Sequence, residues 1–135
     1  MSRVFADTYY WIALLNDRDQ GHAAAKAISQ TLGQATIVTT QEVLSEVLTY
    51  FCEHGRHVRQ TVTAFVRNIL NDPAITVHPQ SAQSFLDGLA LYEARPDKEY
   101  SHADCISMLA MRHDAITDVL TDDDHFSQEG FTTLL

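Results

Sequence analysis

Four acidic residues occupy positions where a carboxylate could take part in chemistry. Asp7 directly follows a short apolar run, and Asp123 lies just past another apolar run, residues 119–121. Glu46 falls in the second turn of one predicted helix, and Asp104 lies near the start of another. If the four converge, each ionised pair about 5 Å apart repels by roughly 3 kcal/mol at an effective dielectric constant of about 20. Protons or cations must then neutralise the cluster, and all-oxygen ligands favour Mg²⁺ or Mn²⁺ over Zn²⁺.

Each of these acids also has an ordinary structural explanation when it is taken alone. Asp7 could cap a helix, and Asp104 stands at a capping-box spacing from Ser101. Glu46 could be a solvated helix carboxylate, and a solvated turn would explain any one acid of the run 122–124. Capping does not require four acids to share one end of a sheet, so their joint position is the stronger argument.

The predicted elements place these four acids at one edge of a sheet. Strands are predicted at 3–6, 36–39, 75–77 and 118–121, with an edge strand at 132–135. Helices are predicted at 9–15, 22–32, 41–53, 58–70, 81–92 and 101–112. Thr39 and Glu42 fit a capping box for the third helix, and the last helix is apolar on nearly every side, which is typical of a central helix. The alternation predicts an α/β fold with a mainly parallel sheet covered on both faces, whose ligands bind beyond the carboxyl ends of the strands.

Four short motifs follow one another along the chain. They are Asp7-Thr8 with the aromatic and aliphatic segment 9–15, Glu46 on the helix after the second strand, Ser101-His102-Ala103-Asp104 at a helix start, and Thr121, Asp123 and Phe126 in a Thr-x-Asp-x-x-Phe pattern. In this order, over essentially the whole length, the chain resembles the PIN-domain ribonucleases, most closely the VapC-type toxins of bacterial toxin–antitoxin pairs. Ala103 departs from the pattern, because many members carry threonine or serine there. The missing hydroxyl bears on rate and metal affinity more than on the type of reaction.

This resemblance implies a fold, an activity and partners. The fold would be a PIN-like three-layer α/β/α sandwich with a central, mainly parallel sheet of four or five strands, in one domain over 1–135. The activity would be metal-dependent hydrolysis of RNA that leaves a 5′-phosphate on the product. Magnesium or manganese would be the cofactor, and the partners would be a small antitoxin and a second copy of the chain. The catalytic and metal-binding residues would be Asp7, Glu46, Asp104 and Asp123.

Composition sets wider limits. The 135 residues are 45% hydrophobic, enough for one packed core, and the net charge of −9 is awkward for a protein that binds nucleic acid through a basic face. Residues 54–71 hold Arg56, Arg59 and Arg67 and no acid, and we interpret them as a solvated or partner-binding surface in preference to an RNA track.

No apolar run is long enough to span a membrane, so we expect a cytoplasmic protein. Cys52 and Cys105 are expected to be free thiols packed as small apolar groups.

Several other functions remain as alternatives. A PIN-like module that binds RNA or protein without catalysis would keep the same acids. A phospho-accepting receiver domain is disfavoured, because neither Lys26 nor Lys98 follows a late strand and the strand at 75–77 leads to no aspartate. A haloacid-dehalogenase-type phosphatase would need a second aspartate soon after Asp7. His54 and His57 flank a glycine, which disfavours a zinc site there.

Overall fold

Strands and helices alternate along the chain as the sequence predicts. The computed structural model describes residues 2–135. The strands are β1 (Arg3–Ala6), β2 (Thr36–Thr40), β3 (Ile75–His78), β4 (Asp118–Leu120) and β5 (Thr132–Thr133). The helices are α1 (Thr8–Leu15), α2 (His22–Ser29), α3 (Gln41–Tyr50), α4 (Arg56–Asn71), α5 (Ala82–Ala94), α6 (His102–His113) and α7 (Asp124–Gln128).

The five strands form one sheet in the order β3-β2-β1-β4-β5, and every neighbouring pair is parallel. Val4, Phe5 and Ala6 in the central strand are each 0% exposed. Because successive side chains of a strand point to opposite faces, both faces of the sheet are covered. The expected three-layer α/β/α fold with a parallel sheet is confirmed.

The helix α6 is central, as its all-round apolar sequence predicts. Cys105, Met108 and Met111 are fully buried. The neighbouring helix α5 approaches α6 at Gly88, where an added Cβ would lie 2.6 Å from the Cγ1 atom of Ile106. Glycine therefore allows the close contact that fixes the position of α6, which carries Asp104 at its start.

The start of α3 differs from the sequence prediction. The N-cap is Thr40, whose hydroxyl accepts a hydrogen bond from the Val43 N–H, so the capping box of Thr39 and Glu42 is wrong by one residue. The Thr39 hydroxyl is buried in the sheet instead and donates to the Ala6 carbonyl at 2.9 Å. The strand β2 thus runs one residue further than its apolar pattern predicts, because Thr40 has extended backbone geometry as the N-cap of α3 and so ends the strand and begins the helix.

Two helices end earlier than predicted and one short helix was missed. In α2 the hydroxyls of Ser29 and Thr31 donate to the carbonyls of Lys26 and Ile28, which competes with the helical ladder and ends the helix at Ser29. The helix α3 ends at Tyr50, short of the predicted residue 53. The five-residue helix α7 follows the acidic run and is too short for a periodic signal.

The two cysteines differ in environment. Cys105 is buried as expected, whereas Cys52 is exposed in the turn after α3, so the prediction that it packs as a small apolar group is wrong. Within residues 2–135, no helix is both long enough and apolar enough to cross a membrane.

Candidate active site

The four acids singled out from the sequence line one open groove of about 760 Å³ at the carboxyl edge of the sheet. Asp7 follows β1 and Asp123 follows β4, while Glu46 comes from α3 and Asp104 from the first turn of α6. Asp122 also lines the groove. The structure therefore brings together carboxylates that lie up to 116 positions apart in the chain, which is the number of steps from residue 7 to residue 123.

Asp7 is the most deeply buried of the four, at 6% exposure. It is the N-cap residue of α1 but makes no side-chain capping bond; its carboxylate accepts a hydrogen bond from the Thr121 hydroxyl at 2.9 Å. The pKa of Asp7 is raised to about 7, chiefly by burial; the charges of Asp104 and Glu46 also raise it, and the hydrogen bonds from the Thr8 N–H and the Thr121 hydroxyl lower it. A helix cap does not explain a carboxyl group in this environment.

Glu46 stands at the rim of the groove and is held by α1. The Thr8 hydroxyl donates to Glu46 Oε1 at 2.6 Å, which fixes one oxygen of the carboxylate. Partial desolvation raises the pKa of Glu46, the Thr8 bond lowers it, and the charge of Asp104 raises it. The raised pKa makes this carboxylate a stronger proton acceptor than a free glutamate.

Asp104 and Asp123 act as helix caps and as members of the cluster at once. The Asp104 carboxylate accepts from the Ser101 N–H at 3.0 Å in a reciprocal capping box. Asp123 Oδ1 accepts from the His125 N–H at 2.9 Å at the start of α7. The two explanations offered by the sequence are therefore compatible, because capping fixes the rotamer that keeps each carboxylate at the groove.

His125 is a site residue that the sequence reasoning missed. Its Nδ1 lies 3.0 Å from Asp104 Oδ2 and 3.4 Å from Asp123 Oδ1. Burial lowers the pKa of His125, but the hydrogen bond to Asp104 and the charges of Asp123 and Asp104 raise it overall. The only signal in the sequence was a histidine two residues after Asp123. Its contact with Asp104 depends on α7, which turns the ring back toward the groove.

The donor set fits a divalent cation. One potential ligand atom each from Asp104, Asp123 and His125 lies within 4.8 Å of the others, and among the described residues these three form the only such group. No lysine or arginine of residues 2–135 forms an ion pair with any of the four acids. Uncompensated carboxylates beside an imidazole suit Mg²⁺ or Mn²⁺, and the nitrogen also admits other first-row metals. His54 stacks against Tyr50, so the zinc alternative gains no support.

Two threonines hold the acids in place. The Thr121 hydroxyl donates to Asp7 and accepts from the Asp123 N–H at 3.2 Å, and Thr8 holds Glu46. Ala103, beside Asp104, supplies no hydroxyl, and Asp104 is held by Ser101 and His125 instead. These contacts link β1, α1, α3, α6 and the segment after β4 into one rigid acidic site.

Comparison with known proteins gives consistent results. Residues 4–131 match the family described as PIN domain. The chain is 27% identical, over 128 residues and 95% of both chains, to the 23S rRNA-specific endonuclease VapC20 of Mycobacterium tuberculosis. The crystal structure of that protein, described as a Sarcin-Ricin loop cleaving toxin, superposes with a TM-score of 0.85 at 25% identity and covers 96% of each chain. FitAcB from Neisseria gonorrhoeae shares the fold with a TM-score of 0.66 at 14% identity, over 98% of this chain and 96% of that one.

Proposed function

This chain belongs to the PIN domain family, and from that premise we propose that it is a metal-dependent ribonuclease that acts as the toxin of a toxin–antitoxin pair. The observation that supports this most directly is the groove that Asp7, Glu46, Asp104 and Asp123 line without a lysine or arginine partner in residues 2–135. The receiver-domain alternative gains no support, since β3 ends at His78 and the next acid, Asp87, lies inside α5.

We propose distinct roles for the four carboxylates. Asp7, Asp104 and Asp123 hold Mg²⁺ or Mn²⁺, and His125 orients Asp104 and Asp123 through its ring nitrogen. When bound, the cation supplies positive charge at the scissile phosphate and lowers the pKa of an attacking water. Glu46, oriented by Thr8, accepts the proton that this water loses.

The reaction needs no nucleophilic side chain. In-line attack by water on the phosphorus atom forms one P–O bond and breaks the bond to the 3′-oxygen, so the 5′-phosphate stays on the downstream product. Ribosomal RNA is the substrate to test first, because the similar VapC20 protein is 23S rRNA-specific. We also propose a small protein antitoxin and a homodimer as partners, in line with the VapC-type resemblance.

The test compares Asp104→Asn with Asp97→Asn, a change of the same type at an exposed carboxylate away from the groove. We expect Asp104→Asn to keep the circular dichroism spectrum of the wild type and to lose at least roughly 100-fold in metal-dependent cleavage of RNA, whereas Asp97→Asn cleaves normally. EDTA should stop the wild-type reaction. Sequencing of the fragments should find 5′-phosphate and 3′-hydroxyl ends.

Two outcomes would contradict the proposal. Undiminished cleavage by purified Asp104→Asn would remove the acids from the chemistry. A wild-type protein that binds neither Mg²⁺ nor Mn²⁺ in calorimetry would instead be a non-catalytic PIN module, because such a cluster cannot support the reaction.

A further inference from the structure

The basic segment at 54–71 lies next to the acidic groove. The acidic groove extends along α3 as far as Ser45 and Thr49. The same two residues also line a second depression, which continues to Arg59 and Thr63 on α4. Arg59 and Thr63 in turn line a third depression that reaches Arg67. We call this series of neighbouring depressions, defined by Ser45, Thr49, Arg59, Thr63 and Arg67, the α3–α4 channel.

The residues that line the α3–α4 channel differ in charge from the residues that line the adjoining acidic groove. Beyond Glu46, its described lining residues include no acid. Hydroxyl and guanidinium groups line it together with the apolar side chains of Leu48, Phe51 and Val62. Hydroxyl and guanidinium groups both bind phosphate oxygens in protein–nucleic acid complexes. Arg59, Thr63 and Arg67 are spaced four residues apart on one helix, so they share one face and span roughly 12 Å along the axis.

Arg67 and Arg59 differ from the arginines of α6 and its preceding loop. Arg95 and Arg112 both form ion pairs with Glu129. The exposed Arg67 side chain makes no hydrogen bond or ion pair with any residue of 2–135. Arg59 donates one hydrogen bond to the Cys52 carbonyl, at 3.0 Å, and pairs with no acid of the described chain. In a protein of net charge −9, these positive charges pair with no acid and lie near the groove that the proposed ribonuclease function assigns to RNA.

An exposed aromatic ring lies in the acidic groove, next in sequence to Thr49, which the groove shares with the channel. Tyr50 lines the acidic groove, is 47% exposed, and stacks on His54 with 5.7 Å between ring centroids and 25° between the planes. Unpaired RNA bases stack on aromatic rings of this kind. An exposed, stacked ring beside a row of groups that donate hydrogen bonds to phosphate suits the bases and the backbone of single-stranded RNA.

We propose that the α3–α4 channel holds the single-stranded RNA that flanks the scissile phosphate, with Arg59 and Arg67 binding its backbone phosphates. The inference rests on the proposed ribonuclease function and names the path of its substrate. It reverses the sequence-based interpretation of the arginines as a solvated or partner surface, because the channel shares Ser45 and Thr49 with the groove of the acid cluster.

The experiment measures fluorescence anisotropy of 5′-labelled oligouridines of about 4 and about 16 nucleotides, the range over which single-strand sites extend. The protein carries Asp104→Asn so that the probe stays intact, and Mg²⁺ is present. Arg67→Gln is compared with Lys26→Gln, which removes the same charge from an exposed position of α2 outside the channel. Arg67→Gln is the informative variant, since Arg59 also holds the Cys52 carbonyl.

We expect Arg67→Gln to weaken binding of the long probe several-fold and to flatten its salt dependence by about 0.7 log units per log unit of salt, the change for one contact to a single strand. The short probe and the Lys26→Gln variant should behave like the parent protein. In protein with Asp104 intact, Arg67→Gln should raise KM for a long RNA and leave kcat unchanged.

Equal loss of affinity in Arg67→Gln and Lys26→Gln would reduce the effect to net charge and overturn the proposal. Unchanged affinity in Arg67→Gln would also overturn it and would leave the channel to a protein partner. Arg67-dependent binding by a wild-type protein that cleaves no RNA would support the channel while the ribonuclease proposal fails, so the two failures are distinguishable.

Discussion

At the residue level, the environment of Asp7 separates a site carboxylate from a structural one. Its carboxyl group is buried, bonded to Thr121 and close enough to Asp104 and Glu46 to feel their charge. Such a group lowers the stability of the folded protein when it ionises, because the unfolded chain solvates the same charge freely. Proteins retain such groups where binding or catalysis requires them.

This cost predicts that Asp7→Asn stabilises the metal-free protein. An acid whose pKa rises from 3.8 to about 7 on folding holds its proton more tightly in the folded state, so wild-type stability falls as the pH rises through that range. Asparagine cannot ionise, and its carbonyl can still accept the Thr121 hydrogen bond. In EDTA we therefore expect a higher melting temperature for Asp7→Asn above pH 7, with a difference that shrinks toward pH 3.8.

Thermal melts across this pH range provide the measurement, and Asp97→Asn is the control for removal of an exposed carboxylate. If the wild-type and Asp7→Asn proteins have the same melting temperature at every pH, burial and repulsion do not raise the pKa of this carboxyl group. Saturating Mg²⁺ should reverse the order, because only the wild type gains the full free energy of metal binding.

The sequence predicted which four acids line the groove together, and it did not indicate His125. Asp7 and Asp123 stand where apolar strands end, a local pattern that places them at one edge of any parallel sheet. The part played by His125 depends on contacts with Asp104, 21 positions away, and on a helix too short for a periodic pattern. Only the folded chain shows that pairing.

At the level of elements, one buried carboxylate joins the segments that surround α6. Glu129, at the end of α7, is 5% exposed in its side chain. It accepts hydrogen bonds from Arg95 at the end of α5, Tyr100 before α6 and Arg112 in the last turn of α6. These hydrogen bonds lower the pKa of Glu129 to about 2, and the bond from Arg95 has the largest effect. Burial alone would raise the pKa.

We expect Glu129→Gln to lower the free energy of unfolding by about 2 kcal/mol at neutral pH, since one partner of a largely buried ion pair is removed and the arginines are partly exposed. Because the folded pKa is depressed, the wild-type advantage is complete above pH 4.5 and is lost as the pH falls through about 2. Urea unfolding across this pH range measures the difference in the free energy of unfolding between the two proteins. A difference between the two proteins that stays constant at acid pH would contradict this account.

Element positions were more predictable than element ends. The period of the apolar residues located five strands and six of the seven helices, because burial of one face is a property of each segment. The ends of α2 and α3 depended on side-chain hydroxyls and on the turn that follows Tyr50. The Glu129 pairs join residues 17 to 34 positions apart, and no local pattern indicates them.

At the level of the whole molecule, the acidic groove and the exposed apolar side chains of α5 belong to different elements. The acidic groove opens at the carboxyl edge of the sheet, and the α3–α4 channel provides the neighbouring positive charge. On α5, four large apolar side chains are about half exposed, namely Phe85, Leu86, Leu89 and Tyr92. They follow helical spacing along the helix that packs on α6, and a contiguous apolar stripe of this size is typical of a protein interface.

The stripe on α5 gives the proposed homodimer a specific surface. Two copies of one helix can meet about a twofold axis, so that each leucine contacts the stripe of the other chain. We expect the wild type to elute as a dimer in size-exclusion chromatography with light scattering, and the double variant Leu86→Glu, Leu89→Glu to elute as a folded monomer. Leu70→Glu, at a leucine of α4 that is 52% exposed, is the matched control and should remain dimeric. A wild type that is monomeric at all concentrations, or a double variant that stays dimeric, would show that the apolar surface of α5 is not a dimer interface.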